Sequence, residues 1–428
     1  MKKLAFIFPG QGCQYVGMGK TLYDEYQNVR DIFQEANDAV GFDLKKMCFD
    51  GNLKELNDVE NMMLAILTVS YCVFDVYMKE IGVQPVITAG HSLGEYTALL
   101  CSGALSFNDA LYLVRLRGRL GKELLENRKA NMSVIYDINK SIVDEECKNI
   151  CQKDRIVQIA CYNAYDQVVI SGDEDLVMKV EDRIVSLNGQ ITPILNSPPY
   201  HSSLMEQASQ KLKEKLEGIQ FGNFKWPVIS NVSAIPYLNE NKIIDNLTMQ
   251  IKKPVQWKAT MDYINDMSID SVIELGPQAV LTNLFNSQGY GISAASFGRA
   301  SDRKTLINST QEDESNGKGE NIEKAFIPTV ITKCLAAAVS TKNSNWNNDE
   351  YEKGVIEPYN QIQQMQIELE NNSLEPTHEQ MLTALNMLHS VFVTKRTPVE
   401  EQKQRITQIL KDTGTTEIFK GFLSEKGM

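Results

Sequence analysis

The chain has 428 residues, 43% of them hydrophobic, so it can bury a sizeable core in one or two domains and is not a wholly disordered protein. Its net charge of −12 argues against a nucleic-acid partner, because binding to phosphates depends on lysine and arginine. Eight scattered cysteines, with no CxxC pair and no Cys/His cluster, favour a reduced, cytoplasmic protein without a metal site.

The N-terminal residues predict a buried strand that leads into a tight turn. The apolar run Leu4–Phe8 ends in Pro9-Gly10-Gln11-Gly12 and is too short for the apolar region of a signal peptide. A helical pattern follows over Tyr15–Val40, and Asn61–Met78 is apolar nearly all round, which predicts a buried helix. No run approaches the about 20 apolar residues that span a membrane, so we expect no membrane partner.

The next elements contain the strongest chemical motif. Val86–Ala89 predicts a second buried strand and Glu95–Ser102 a helix, and the sequence GHSLG between them has Ser92 at its centre. A sharp strand–turn–helix with glycines on both sides exposes a serine hydroxyl at the end of a sheet strand, as nucleophilic serines require. An ordinary glycine-rich turn has the same pattern. The alternation of strands and helices indicates an α/β fold with a mainly parallel sheet.

The organisation of the chain changes after residue 130. Residues 131–196 alternate short strands with polar helices, which predicts a ferredoxin-like subdomain inserted into an α/β core of residues 1–130 and 197–300. Polar and charged residues predict a linker at 301–320. Residues 321–428 carry apolar side chains at helical spacing, which predicts a helical C-terminal extension.

A serine nucleophile needs a general base, and histidine suits this role near neutral pH. The chain has four histidines: His91, His201, His378 and His389. His91 adjoins the serine and should point away from it, while His378 and His389 lie in the C-terminal extension. His201, in an irregular segment before a helix, is therefore the best candidate, although a surface loop histidine would fit the same position.

The turn at Gly10-Gln11-Gly12 offers a second candidate function. It lacks the third glycine of a dinucleotide-binding fingerprint, because Tyr15 stands in that place. Free backbone N–H groups at the end of a strand suit an oxyanion, and a plain tight turn is the simpler alternative.

Six motifs, in order along residues 1–300, resemble the malonyl-CoA:acyl carrier protein transacylases of fatty acid and polyketide synthesis. They read FPGQGCQYVGMG, AGHSLGEYTALLCSGALSF, LVRLRGRL, PPYHSSLM, QIKKPVQW and ELGPQAVLTNL. The resemblance implies a hydrolase-like α/β core, a coenzyme A thioester as substrate, and no bound cofactor or metal. Since no ketosynthase, carrier or thioesterase motif is visible, the enzyme would act in trans on the carrier protein or carrier domain of a polyketide or hybrid peptide–polyketide synthase.

The resemblance also implies roles for individual residues. Ser92 would carry the acyl group as an ester. His201 would act as general base and then as general acid, with its imidazole oriented by the main-chain carbonyl of Gln250. The backbone amides of Gln11 and Leu93 would form the oxyanion hole.

Two further residues would select the substrate. Arg117 would hold the free carboxylate of malonate with a bidentate pair. Arg115 and Arg119 share a helix face that Arg117 does not, although all three could also form a solvated face. Tyr200, a bulky residue before the histidine, should crowd an α-methyl group and favour malonyl. Met63 stands where the family usually has glutamine, which removes a polar group near the pocket.

The predicted reaction is the transfer of a malonyl group from malonyl-CoA to the phosphopantetheine thiol of a carrier protein. An acyl hydrolase with the same Ser/His pair would release free acid, but it would act on acyl groups that lack the carboxylate held by Arg117. A general α/β-hydrolase esterase fits the early position of the serine poorly. A docking subunit without activity would not need Ser92, His201 and Arg117 together.

Overall fold

The computed structural model describes residues 2–194, 197–315, 329–339, 341, 345, 348–371 and 374–426. The chain forms two compact units. The first comprises the residues up to Gly189 and Pro193–Thr310, and the second comprises Gln190–Thr192 and the residues from Gln311 onward. A separate cluster of buried apolar side chains lies in each part, one built from residues before 310 and one from residues after 329.

A five-stranded parallel sheet forms the centre of the first unit, in the order β7-β2-β1-β8-β9. Every residue of β1 and β2 is buried, as expected for a parallel sheet that is covered on both faces. The strands are β1 (Leu4–Phe8), β2 (Ile87–Gly90), β7 (Val228–Ile229), β8 (Ser271–Glu274) and β9 (Ser293–Ser296).

A second, four-stranded sheet has the order β4-β5-β3-β6, and β5 pairs antiparallel with both β3 and β4. Its strands are β3 (Ala130–Tyr136), β4 (Val157–Tyr162), β5 (Gln167–Asp173) and β6 (Gln190–Ile194). Helices α8 (Lys140–Ile150) and α9 (Glu174–Ser186) follow β3 and β5, which gives the βαββαβ order of a ferredoxin-like unit. The predicted fold class, a hydrolase-like α/β core with an inserted ferredoxin-like subdomain and a helical C-terminal extension, is therefore confirmed.

Among the described residues before 316, fourteen α-helices are interspersed with these strands along the chain. They are α1 (Lys20–Glu25), α2 (Gln27–Val40), α3 (Leu44–Asp50), α4 (Leu53–Leu56), α5 (Val59–Glu80), α6 (Leu93–Cys101), α7 (Phe107–Asn127), α8 (Lys140–Ile150), α9 (Glu174–Ser186), α10 (Glu206–Leu216), α11 (Lys242–Gln250), α12 (Trp257–Asp266), α13 (Val280–Asn286) and α14 (Ala300–Ser315), with a 3₁₀ turn at Ser203–Met205.

Two segments that the sequence predicted as helices can be compared with the structure. The single helix predicted over Tyr15–Val40 was wrong, because Gly17 and Gly19 adopt positive φ and Tyr26 is extended, so that helix begins at α1 and breaks before α2. Among the described residues, α5 is long and apolar enough to cross a membrane by length and composition. Most of α5 is buried in the core of the first unit, as predicted for this segment.

The C-terminal residues form helices with a shared apolar core. They are α15 (Val330–Val339), α16 (Asn348–Tyr351), α17 (Glu357–Asn371), α18 (His378–Thr394), α19 (Val399–Asp412) and α20 (Phe422–Glu425), with a π-helical turn at Glu352–Ile356. The linker predicted at 301–320 is helical over its described part, because α14 continues to Ser315 and its Leu306 and Ile307 pack on the first core. Residues 316–320 lie outside the described residues.

Candidate active site

Ser92 lies in a strained turn between β2 and α6. Its φ of 53° and ψ of −105° are rare for a residue with a side chain, and such strain persists only where the surroundings impose it. The turn is also tight: a Cβ on Gly94 would lie 2.0 Å from the carbonyl oxygen of Phe8. The sequence GHSLG therefore forms the sharp strand–turn–helix that its glycines predict.

The turn after β1 packs directly against this elbow. A Cβ on Gly10 would lie 2.5 Å from the carbonyl oxygen of His91 and 3.6 Å from the backbone nitrogen of Leu93. Because only glycine permits this approach, the segment that contains Gln11 comes next to the N-terminus of α6. The two backbone segments expected to supply oxyanion donors are thus neighbours.

The structure brings Ser92, His201 and Gln250 together, although 109 residues separate the first two. His201 Nδ1 donates to the main-chain carbonyl of Gln250 at 2.7 Å, so Nε2 carries no proton and accepts from Ser92 Oγ, also at 2.7 Å. The backbone N–H of His201 donates to the carbonyl of Ile251 at 2.8 Å. Two consecutive carbonyls therefore hold both the main chain and the ring of His201.

The surroundings of His201 favour its neutral form. The side chain is buried, with 2% of its surface exposed, and burial disfavours the charged imidazolium. The positive charge of Arg117 acts in the same direction, since Nη2 lies 3.5 Å from Nε2. Burial and then Arg117 lower the pKa of His201 to about 3. The ring is therefore neutral near neutral pH, and its Nε2 lone pair is available to the Ser92 hydroxyl.

Arg117 reaches the Ser92 hydroxyl from α7. Its guanidinium is buried, with 1% exposed, and Nη2 donates to Ser92 Oγ at 2.8 Å. Among the described residues, Nη1 donates to the Sδ of Met63 at a long 4.0 Å and Nε has no hydrogen-bond partner. Because a buried guanidinium N–H without an acceptor is costly, these donors suit a carboxylate.

Tyr200 packs on Arg117. Its ring centroid lies 4.4 Å from Cζ of the arginine, and its hydroxyl donates to the arginine's main-chain carbonyl at 3.1 Å. A Cβ on Gly121 would lie 2.3 Å from this hydroxyl, so glycine there makes room for the tyrosine. A bulky aromatic ring thus covers one side of the guanidinium.

The other arginines of α7 face a different way. Arg115 and Arg119 both lie 3.7 Å from Glu60, and the Arg119 side chain is 53% exposed. Spacing on a helix predicted this separation of Arg117 from its neighbours.

His91 turns away from Ser92, as expected from its place on the turn. Its Nε2 lies 2.8 Å from Asn163 Oδ1, and its ring packs edge-on against Trp257. Asn163 belongs to the loop between β4 and β5, so the ferredoxin-like subdomain contacts the elbow. His378 and His389 lie on α18 of the second unit.

Sequence reasoning missed Glu95, Asn231 and Tyr237. Glu95 is fully buried, and it accepts from Tyr237 Oη at 2.6 Å, Gln250 Nε2 at 2.9 Å and the Asn231 backbone at 3.2 Å. Burial raises the pKa of Glu95 to about 7, although these three donors oppose the rise. One signal was available in the sequence: Glu95 is the only charged residue in the otherwise apolar helix that follows Ser92.

Comparisons with known proteins identify the family of the chain. A family model described as an acyl transferase domain matches residues 5–313. The malonyl CoA-acyl carrier protein transacylase of Bacillus subtilis is 35% identical over 406 residues, which cover 94% of this chain and 99% of that protein. The transacylase of the same name from Escherichia coli K12 is 34% identical over 285 residues, which cover 66% of this chain and 92% of that protein.

Solved structures give the same result. The structure of FabD from Acinetobacter baumannii is similar to this chain, with 34% sequence identity and a TM-score of 0.69. The match covers 73% of this chain and 99% of that protein. A malonyl-transacylase in complex with a type II PKS acyl-carrier protein is similar to 72% of this chain over 99% of its own length, with the same identity and TM-score. The chain is therefore an acyltransferase and belongs to the malonyl-CoA–acyl carrier protein transacylase family.

Proposed function

We propose that the chain transfers a malonyl group from malonyl-CoA to the phosphopantetheine thiol of an acyl carrier protein, through an ester on Ser92. The observation that carries the proposal is the position of Ser92 Oγ, which lies 2.7 Å from a neutral imidazole and 2.8 Å from a buried guanidinium. The hydroxyl thus has a base for its proton and, beside it, a receptor for the carboxylate of the acyl group. The names of the relatives support the same donor and acceptor.

In the first half-reaction, Ser92 Oγ attacks the thioester carbonyl while His201 Nε2 takes the hydroxyl proton. The backbone amides of Gln11 and Leu93 would donate to the oxyanion of the tetrahedral intermediate. When the intermediate collapses, the carbon–sulfur bond breaks and His201 returns the proton to the departing coenzyme A sulfur. In the second half-reaction, the carrier thiol attacks the ester and the same steps run with sulfur as the nucleophile.

Arg117 and Tyr200 would select the acyl group. A malonyl carboxylate bound by the guanidinium would draw Nη2 away from Ser92 Oγ and fix the thioester carbonyl beside the serine. The ring of Tyr200 would restrict the space for an α-methyl group on the same side, which favours malonyl over methylmalonyl. Met63, a thioether where the family usually has glutamine, leaves Nη1 available to the carboxylate.

We further propose that the enzyme acts in trans for a polyketide or hybrid peptide–polyketide synthase. The match to the B. subtilis relative covers 94% of the chain and so extends well beyond the acyl transferase domain, which ends at residue 313. A transacylase with a similar C-terminal part therefore exists, and this supports an extension at 321–428 that belongs to the enzyme. Cytoplasmic location is part of the proposal, supported by free cysteines, most of them buried.

The test is intact-mass analysis of a holo carrier protein incubated with malonyl-CoA and the full chain. We expect a malonyl adduct on the enzyme and then on the carrier protein, because the carrier thiol replaces coenzyme A as acceptor. Carrier protein without the phosphopantetheine arm is the control and should remain unmodified. Release of free malonate, with no malonyl carrier protein, would favour the hydrolase instead.

The pH dependence of acylation tests the state of His201. Since its pKa is lowered to about 3, the free enzyme keeps a neutral base well below pH 6.5. We expect kcat/KM for malonyl-CoA at pH 5.5 to stay within about twofold of its value at pH 7.5, whereas an imidazole with an ordinary pKa of about 6.5 would lose roughly tenfold. The pKa of Glu95 is raised to about 7, so Glu95 becomes protonated in this range. The protonated oxygen can donate to Tyr237 and keeps a lone pair for the Asn231 N–H, which an amide NH₂ group would lack, and the other oxygen still accepts from Gln250.

The lowered pKa of His201 also makes the stability of the fold depend on pH. A histidine with a lowered pKa in the folded state stabilises the fold fully above pH 6.5, and this contribution is lost as the pH falls from 6.5 toward about 3. Thermal unfolding at each pH therefore serves as the control that the enzyme is folded where its rate is measured. A rate that halves near pH 6.5 with intact folding would contradict the prediction.

A further inference from the structure

Glu95 carries a fully buried carboxylate three residues after Ser92. Its three hydrogen-bond partners, the Asn231 backbone, Tyr237 and Gln250, are all neutral. Burying a carboxylate with neutral partners is expensive, and an apolar side chain would pack in a helix interior at lower cost. The proposed reaction does not use this group directly, so its position calls for a different function.

Two residues that donate to Glu95, Asn231 through its backbone and Gln250 through its side chain, hold the backbone of Ser92 from both sides with their side chains. The Ser92 N–H donates to Asn231 Oδ1 at 2.7 Å, and the Ser92 carbonyl accepts from Gln250 Nε2, also at 2.7 Å. Asn231 Nδ2 also donates to the carbonyl of Gly90 at 2.6 Å. The strained φ of Ser92 is therefore held by hydrogen bonds on both of its peptide groups.

Gln250 also connects Glu95 to the base. Its main-chain carbonyl accepts from His201 Nδ1, and its side chain is fully buried with Nε2 shared between Glu95 Oε2 and Ser92. A side chain held at its tip restricts the rotation of its own backbone. The same contact that fixes the Ser92 carbonyl therefore fixes the carbonyl that orients the imidazole.

We infer that Glu95 is a positioning residue of this acyl transfer site. Through Gln250 and Asn231, its carboxylate fixes the strained backbone of Ser92 and the ring of His201 in the relative positions that the reaction needs. The inference rests on the proposed function. It assigns Glu95 no contact with substrate and no share in proton transfer. Both carboxylate oxygens face donors, so the role requires two accepting ends and not merely a side chain of this size.

Glu95→Gln tests this requirement, because the amide keeps the shape of glutamate but has one accepting end. Turned either way, its NH₂ group meets a donor, from Gln250 or from the Asn231 backbone. We expect the single-turnover rate constant of Ser92 malonylation to fall roughly 10- to 100-fold, as for a small misplacement of reacting groups. The malonyl-CoA concentration at half-maximal rate should change by less than about twofold, since Arg117 is untouched.

Tyr237→Phe is the matched control. It removes one donor from the same carboxylate but leaves the hydrogen bond from Glu95 to Gln250 in place, so it should cost less than about threefold in rate. Gln250→Met removes the side-chain link and keeps the backbone carbonyl. If Glu95 acts through Gln250, the double variant Glu95→Gln/Gln250→Met should lose little more than the worse single variant.

The amplitude of malonylation separates positioning from stability. A positioning role lowers the rate constant at full amplitude, whereas a purely structural role lowers the folded fraction and hence the amplitude at an unchanged rate constant. Three results would overturn the inference. They are a lower amplitude at an unchanged rate constant in Glu95→Gln, additive losses of rate in the double variant, and a loss of rate in Tyr237→Phe equal to that in Glu95→Gln. A wild-type chain that forms no adduct on Ser92 would overturn the proposed function as well, while normal acylation of Glu95→Gln would overturn the inference alone.

Discussion

Ser92→Ala is expected to abolish the malonyl adduct and to lower malonyl transfer to carrier protein by at least roughly 10⁴-fold. The Ser92 Oγ atom would carry the acyl group. Among the described side chains, only Ser92 and Arg117 form a hydrogen bond with His201 Nε2, and arginine is not a nucleophile. Intact-mass analysis after incubation with malonyl-CoA measures the adduct directly, and peptide mapping locates it.

Ser203→Ala is the control for this substitution. Ser203 is an exposed serine two residues after His201, and its hydroxyl interacts with Gln158 instead of the imidazole. This variant should acylate as the wild type does. A malonyl adduct that persists in Ser92→Ala would show that a different nucleophile carries the acyl group.

Arg117→Ala has the second-largest expected effect, and it acts on selectivity. We expect malonylation to fall roughly 10²- to 10⁴-fold, since removing one partner of a buried ion pair costs about 3–5 kcal/mol. Acylation by acetyl-CoA should fall much less, because an acetyl group has no carboxylate for the guanidinium to bind. Competition among malonyl-CoA, methylmalonyl-CoA and acetyl-CoA, read by mass, measures the change in preference.

Two matched variants sharpen the interpretation. Arg117→Lys keeps the charge without the planar fork and should lie between alanine and wild type. Arg119→Ala, on the same helix, removes an exposed partner of Glu60 and should leave the rate within about twofold, because surface ion pairs contribute little. An unchanged preference for malonyl in Arg117→Ala would rule out the guanidinium as the carboxylate receptor.

Some features could be predicted because they depend on residues close together in the chain. The elbow at Ser92 follows from a strand, two glycines and a helix within a single segment. The α/β class follows in the same way from alternating apolar runs, and the separation of Arg117 from Arg115 and Arg119 follows from the angle between successive helix positions. Patterning also identified α5 as a buried helix before its neighbours were known.

Other local structure differs from the sequence-based expectation because backbone conformation or a distant contact decides it. The helix expected from Tyr15 starts only at Lys20 and breaks at Tyr26, since backbone dihedrals at Gly17 and Gly19 prevail over helical spacing. Residues 301–315, within the expected linker, are helical, and Leu306 and Ile307 pack on the apolar core of the first unit, a contact that the polar composition does not reveal.

The sequence by itself determined where a nucleophile could be displayed and, by the scarcity of histidine, which residue could serve it. Only the tertiary structure decided how these groups are held. Glu95, Asn231 and Gln250 lie far apart in the chain, and their hydrogen bonds to one another and to Ser92 form only when the sheet and its loops pack. The physical reason is range: local backbone preferences act over a few residues, whereas buried polar groups must find partners wherever the folded chain brings them.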